Sequence, residues 1–202
     1  MKSTQQIQQG CTWPGTDPLM QQYHDTEWGS PVLDDEKLFE FILLDAFQAG
    51  LSWRTVLHKR IAFHQAFAAF DPHKIARFTP ADVDRLMQDQ GIIRNRMKIN
   101  ATITNAQAFL KIQKEKGSFS KFIWQFTGGR PIDRQRTGKD DHLTASPESD
   151  AMSEELKKAG FKFVGTTICY AFMQAAGMIN DHVVSCPRHA AVQREWETRN
   201  DF

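Results

Sequence analysis

Apolar residues recur along this chain mainly at helical spacing, and one stretch is apolar nearly all the way round. In DDEKLFEFILLDAF, residues Leu38, Phe39, Phe41, Ile42, Leu43 and Leu44 leave almost no polar face, and Asp34 or Asp35 can cap the start. That pattern predicts a helix buried between other helices. Gly50 can end it and Ser52 can cap the next, SWRTVLHKRIAFHQAF, where Trp53, Val56, Leu57, Ile61 and His64/Phe67 return every three to four residues. Thr79 and Pro80 open a further helix that stops at Gly91, and residues 94–114 read as a long helix striped by Met97, Ile99, Ile103, Ala106, Phe109 and Leu110. Ser118 starts a shorter one, Ser149 or Asp150 caps SDAMSEELKKAG, and Thr166 or Thr167 caps an apolar helix inside FKFVGTTICYAFMQAAGM. No strand period competes, so the expected fold class is all-α.

The expected organisation is one domain of two helical lobes over residues 11–186, preceded by a leader (residues 1–10) and followed by a polar tail (residues 187–202) that can form a surface helix. Residues 128–149, polar and rich in turn formers, read as an irregular surface connection.

Composition narrows the class. A chain of 202 residues, 41% hydrophobic, with 15 Phe and 5 Trp, can bury a substantial core. The leader MKSTQQIQQG has no apolar centre, and nowhere do about 18 apolar residues run together, so neither a signal peptide nor a membrane span is expected. A soluble, cytoplasmic protein follows as the expectation. Three cysteines cannot all pair, and Cys169, within TTICYAFM, reads as a small buried hydrophobe. The net charge of +1 gives no global basic surface, so any grip on nucleic acid has to be local.

Three constellations carry chemistry. Cys11 and His24 stand near one end of the chain, and His182 and Cys186 form a His-x3-Cys pair near the other. Two thiolates and two imidazoles complete a closed tetrahedral zinc shell, the structural form, which would staple the chain ends together. Asp45, at the end of the apolar helix, needs a partner or a polar cavity if it is buried; at the last turn it can equally face solvent. Trp13, Tyr23, Trp28, Phe47 and Trp53 gather near it in sequence, and such rings can wall an extruded base or simply fill a core.

Finally, LMQDQGIIRNRMKI has the form of a helix-hairpin-helix phosphate grip. Gly91 lies in its turn, and Arg94, Arg96 and Lys98 follow, although Ile93 stands where a second glycine is usual. Base-excising enzymes of that design generally carry an aspartate downstream. Here Glu115 is the one carboxylate between Gly91 and Asp133, so any base removed must leave easily.

Taken together, YHDTEWG, LFEF, QAGLSW, GIIRNRMKI, FKFVGTTICYAFMQA and NDHVVSC resemble the 3-methyladenine DNA glycosylase I family, over nearly the whole chain, from Cys11 to Cys186. The resemblance implies a helix-hairpin-helix glycosylase fold. It also implies one structural zinc on Cys11, His24, His182 and Cys186. Monofunctional hydrolysis of N3-methyladenine from alkylated duplex DNA is the implied activity, with the free base as product. Tyr23, Trp28, Trp53 and Trp13 fall on the family's base-holding rings, and Asp45 on the carboxylate that selects the base. That carboxylate is commonly glutamate, so the acceptor here sits about an ångström further back. Leu51, in an exposed apolar turn, is the candidate wedge into the duplex, with a core position as its alternative. A monomer is expected. The rival readings are a zinc-stapled module that binds damaged DNA without cutting a bond, and a glycosylase of broader alkylpurine range.

Overall fold

The computed structural model describes residues 10–138 and 141–198, so most of the leader and the end of the tail lie outside the described residues. Eleven α-helices are present among the described residues. They are α1 (Pro18–Thr26), α2 (Asp35–Gln48), α3 (Trp53–Leu57), α4 (Arg60–Ala66), α5 (Pro72–Ile75), α6 (Pro80–Gln88), α7 (Arg96–Lys116), α8 (Phe119–Trp124), α9 (Pro147–Lys158), α10 (Thr166–Ala175) and α11 (Pro187–Glu197).

The all-apolar stretch becomes α2, capped by Asp34, whose carboxylate accepts from the Lys37 amide at 2.8 Å. It runs through the centre of the core, with α7, α8 and α10 against it. Phenylalanines supply most of the filling: the rings of Phe39 and Phe109 lie 4.9 Å apart, those of Phe109 and Phe119 4.7 Å, and those of Phe47 and Phe63 4.6 Å. Asp35 also reaches across to α8, accepting from the Phe119 and Ser120 amides at 2.8 and 2.7 Å, so one carboxylate neutralises a neighbouring helix start. A smaller cluster of Met20, Tyr23, Trp28 and Leu57 sits apart from this core and forms one side of the site.

Several sequence expectations are revised, among them the caps of α9 and α10, which are Ser146 and Gly165 rather than Ser149 or Asp150 and Thr166 or Thr167. The helix expected from Ser52 onward breaks at His58 and Lys59 into α3 and α4. Beyond α4, Ala68, Ala69 and Phe70 all take left-handed φ (52°, 59° and 60°), a turn that apolar periodicity cannot reveal. The long helix begins at Arg96 rather than at residue 94, because the Asn95 side chain accepts from the Lys98 amide and caps it there; Arg94 is left in the turn. A strand pair does exist: β1 (Ile132–Asp133) lies parallel to β2 (Ile179–Asn180), and a bridge from Arg136 to Val183 extends it. The connection over residues 128–149 is thereby tied to the segment that leads into His182. The tail helix α11 docks as well, with Trp196 stacked on Trp124 at 5.1 Å and His189 Nε2 2.9 Å from Asp133.

Candidate functional site

Two side-chain groups share one end of the molecule. The first unites the two Cys/His pairs: the ligand atoms of Cys11, His24, His182 and Cys186 all lie within 4.8 Å of one another. Cys186 Sγ is 3.7 Å from both His24 Nε2 and His182 Nδ1, and Cys11 Sγ is 3.7 Å from His182 Nδ1. A tetrahedral zinc with ordinary bond lengths separates sulfur and nitrogen by about 3.6 Å. The outer nitrogens are already committed: His24 Nδ1 faces Asp25 at 2.7 Å and His182 Nε2 faces the Trp28 carbonyl at 3.0 Å. That fixes the tautomers which leave the inward nitrogens as acceptors. Burial pushes the Cys11 thiol up to about 12 and holds His182 down to about 3. A divalent cation would reverse the preference of the thiols. Gly29, at φ 83°, is required beside this group, since a Cβ there would come within 2.8 Å of His182 Nε2.

The second group is a cavity of about 900 Å³ next to the four-residue cluster. Trp13, Tyr23, Trp28 and Trp53 line it together with Asp45. Trp13 stands 5.0 Å from Trp28, and Tyr23 stands 5.0 Å from Trp53, ring centre to ring centre. The Trp28 ring also lies 4.6 Å from His182, so the cluster fixes one wall of the cavity.

Asp45 decides between the two readings that its sequence position allowed. It projects from the last turn of α2 into the cavity, 3% exposed, and its Oδ2 has no hydrogen-bond partner. Burial holds its carboxyl well above the usual carboxylate range. Trp53 Nε1 is likewise buried without a partner, so the cavity presents one unused acceptor and one unused donor. Tyr23 is pushed above the ordinary phenol range by burial and by nearby Asp45.

Sequence reasoning missed much of the opposite wall. Thr167, Tyr170, Ala171 and Gln174, at i, i+3, i+4 and i+7 of α10, face the cavity. Their partly polar stripe on an otherwise apolar helix was the available signal. Asp181 anchors it, accepting from Tyr170 Oη at 3.0 Å and Gln174 Nε2 at 2.5 Å. The segment around Arg136 forms the rim; the guanidinium donates to the Asp181 and Gly138 carbonyls and pairs with Asp141. Residues 128–149 are therefore in part a wall of the site, a correction to their reading as a surface connection.

The hairpin residues lie elsewhere and do not form one charged patch. Asp89 Oδ1 accepts from the Gly91 amide at 2.7 Å, and a Cβ on Gly91 would strike Ala62 at 2.9 Å, which explains glycine at that point. Arg94 is exposed, whereas Arg96 is paired with Asp84 at 2.8 Å. Lys98 corrects the expectation of a surface cation. It is 7% exposed, and its ammonium donates to the Phe47 carbonyl at 2.7 Å and the Ala49 carbonyl at 2.5 Å. Leu51 stands out from the turn after α2, 43% exposed.

The sequence profile of the methyladenine glycosylase family matches residues 13–189. The chain belongs to that family. It is 52% identical over 176 residues to DNA-3-methyladenine glycosylase 1 of Escherichia coli K12, a match spanning 87% of this chain and 94% of the relative. It is 47% identical over 177 residues to DNA-3-methyladenine glycosylase of Haemophilus influenzae, spanning 88% and 96%. Among solved structures, a crystal structure of 3-methyladenine DNA glycosylase I superposes with a TM-score of 0.87 at 51% identity, covering 89% of this chain and 98% of that one. The Staphylococcus aureus family member, whose structural basis of 3-methyladenine recognition has been described, gives a TM-score of 0.86 at 40% identity, covering 88% and 94%.

Proposed function

We propose that this protein is a DNA-3-methyladenine glycosylase that flips the damaged nucleotide into the Asp45 cavity and hydrolyses its glycosidic bond. The unpartnered, buried Asp45 Oδ2 inside an aromatic chamber carries the reading. A carboxyl group buried without a partner is costly in the free protein, and an entering base that offers an N–H edge to it removes that cost.

Methylation at N3 makes the purine cationic. Its charge favours the ionised form of Asp45 and adds cation–π attraction to Trp13, Tyr23, Trp28 and Trp53, which therefore serve as the base-binding rings. Asp45 thus gives up its proton to solvent as the charged base arrives. Water then attacks C1′: the C1′–O bond forms, the C1′–N9 bond breaks with its electron pair moving to N9, and the water proton leaves to solvent. Free 3-methyladenine departs neutral, so no protein acid is needed at the base. No amine enters the reaction, since the nearby Lys98 is engaged with two carbonyls.

The hairpin after α6 serves as the phosphate grip of a helix-hairpin-helix module, with Gly91, Arg94 and Arg96 toward the duplex, and Leu51 fills the gap left by the extruded nucleotide. One zinc on Cys11, His24, His182 and Cys186 would supply a covalent-like staple between residues 11–24 and 182–186, with no coordination position open to substrate. The deciding experiment is chromatography of bases released from methylated duplex DNA. Free 3-methyladenine is expected; a protein that binds the duplex yet releases no methylated base would sink the enzymatic reading.

A further inference from the structure

Helix α2 ends in a turn built on Gly50, at φ 77°, but its last carbonyls also draw on a donor from outside the helix. No basic residue lies in its last turn, and Ala49 closes it at φ −47° and ψ 116°. The carbonyls at such an end carry partial negative charge and need donors. Leu51 N serves the Gln48 carbonyl at 2.6 Å. The Phe47 and Ala49 carbonyls are served by Lys98, from the first turn of α7, and its ammonium also lies 5.8 Å from the Phe163 ring.

This places one buried cation between the two halves of the machinery. On one side, the last turn of α2 carries Asp45 and Gln48 into the cavity, and the next residues present Leu51 to the exterior. On the other, Lys98 follows Asn95, which caps α7 immediately after the hairpin turn. Lys59, between α3 and α4, clamps the same turn by donating to the Gln90 and Gly91 carbonyls, both at 3.1 Å.

We infer that Lys98 is a positioning residue: its ammonium locks the end of the Asp45 helix to the start of the helix behind the hairpin, so that a duplex seated on the hairpin meets Asp45 and Leu51 in fixed register. The inference rests on the glycosylase reading above. A misplacement of about 1 Å in such a constellation costs roughly a hundredfold in rate, without any loss of phosphate contacts.

The test compares Lys98→Met, which keeps the apolar stem and removes the donors, with Lys98→Arg, which retains donors, on methylated duplex under single-turnover conditions. A salt titration of binding to undamaged duplex runs beside it. The expected result is a loss of tenfold or more in excision rate for Lys98→Met, an unchanged salt slope, and substantial recovery in Lys98→Arg. Should the methionine variant fail to fold, Lys98→Gln, with one donor group and no charge, is expected to show an intermediate loss. Wild-type excision by Lys98→Met or Lys98→Gln, or a salt slope reduced by about one, as for a phosphate contact, would overturn the inference while leaving the enzymatic reading intact. A wild-type protein that released no base would overturn both.

Discussion

Asp45, buried in the cavity with Oδ2 unpartnered, costs the protein stability. Burial holds its carboxyl above the ordinary value of 3.8, so the folded state keeps a proton that the unfolded chain has already released. Stability is therefore favoured below about pH 3.8, falls as pH climbs from there to the folded pKa, and is flat beyond it. Asp45→Asn removes that fall. Its melting temperature should exceed the wild-type value by a margin that widens as pH rises from about 4, each kcal/mol recovered adding about 2–4 °C. The same variant should lose about ten- to a hundredfold in excision, the worth of one hydrogen bond to a charged group. Calorimetry from pH 4 to 8 checks the first part, and a pH-independent margin would refute it. In the wild type, kcat/KM should drop on acidification with a midpoint above the usual carboxylate range, and that limb should vanish in the asparagine variant. Asp45 was legible because an acid closes an otherwise apolar run. Lys98 was not: in the basic run RNRMK it looks like solvent-facing charge, and only the folded chain brings two helix-end carbonyls to its ammonium.

At the scale of elements, the Cys/His clasp joins the loop before α1 and helix α1 itself to the turn before α11, and it touches the cavity through Trp28. Stability and site integrity should therefore fail together. The purified protein is expected to carry one zinc, readable by atomic absorption. Cys186→Ser, or extraction with a strong chelator, should lower the melting temperature by roughly 10 °C or more, since several kcal/mol of metal-linked folding energy are removed. Excision should then decline as the Trp28 wall loosens. A metal-free protein that melts like the wild type would defeat the clasp. Both half-sites could be read from Cys and His spacing. The wall at residues 136–138 and 142–144 could not, because paired strands of two residues have no period, and their register depends on Ile132 meeting Ile179 across the fold. The break between α3 and α4 was hidden for a related reason. Apolar spacing continues through it, while the sites that fix it are distant: Asp17, 2.7 Å from His58, and the hairpin carbonyls that receive Lys59.

For the whole molecule, the apolar run that became α2 foretold a helical fold around a buried centre, because burial on every face admits few other arrangements. How such a nearly neutral protein holds DNA is a question of where its unspent charge lies. With a net charge of +1, long-range attraction is weak. Of the three cations in the hairpin segment, Lys98 is consumed internally and Arg96 is partnered by Asp84, whereas Arg94 stands exposed in the turn. Few phosphates are then neutralised, and log K for duplex binding should fall with log salt at a shallow slope, about −2 to −4, if each phosphate contributes roughly −0.9. Arg94→Ala should flatten the slope by about one, and Arg96→Ala by less, because Asp84 already offsets its charge. Leu51→Ala should leave the slope unchanged and slow single-turnover excision, since a wedge acts on the extruded state and not on the counterion atmosphere. A fluorescence anisotropy titration across a tenfold range of salt separates these cases. Equal slopes for the wild type and Arg94→Ala would move the phosphate grip away from the hairpin altogether.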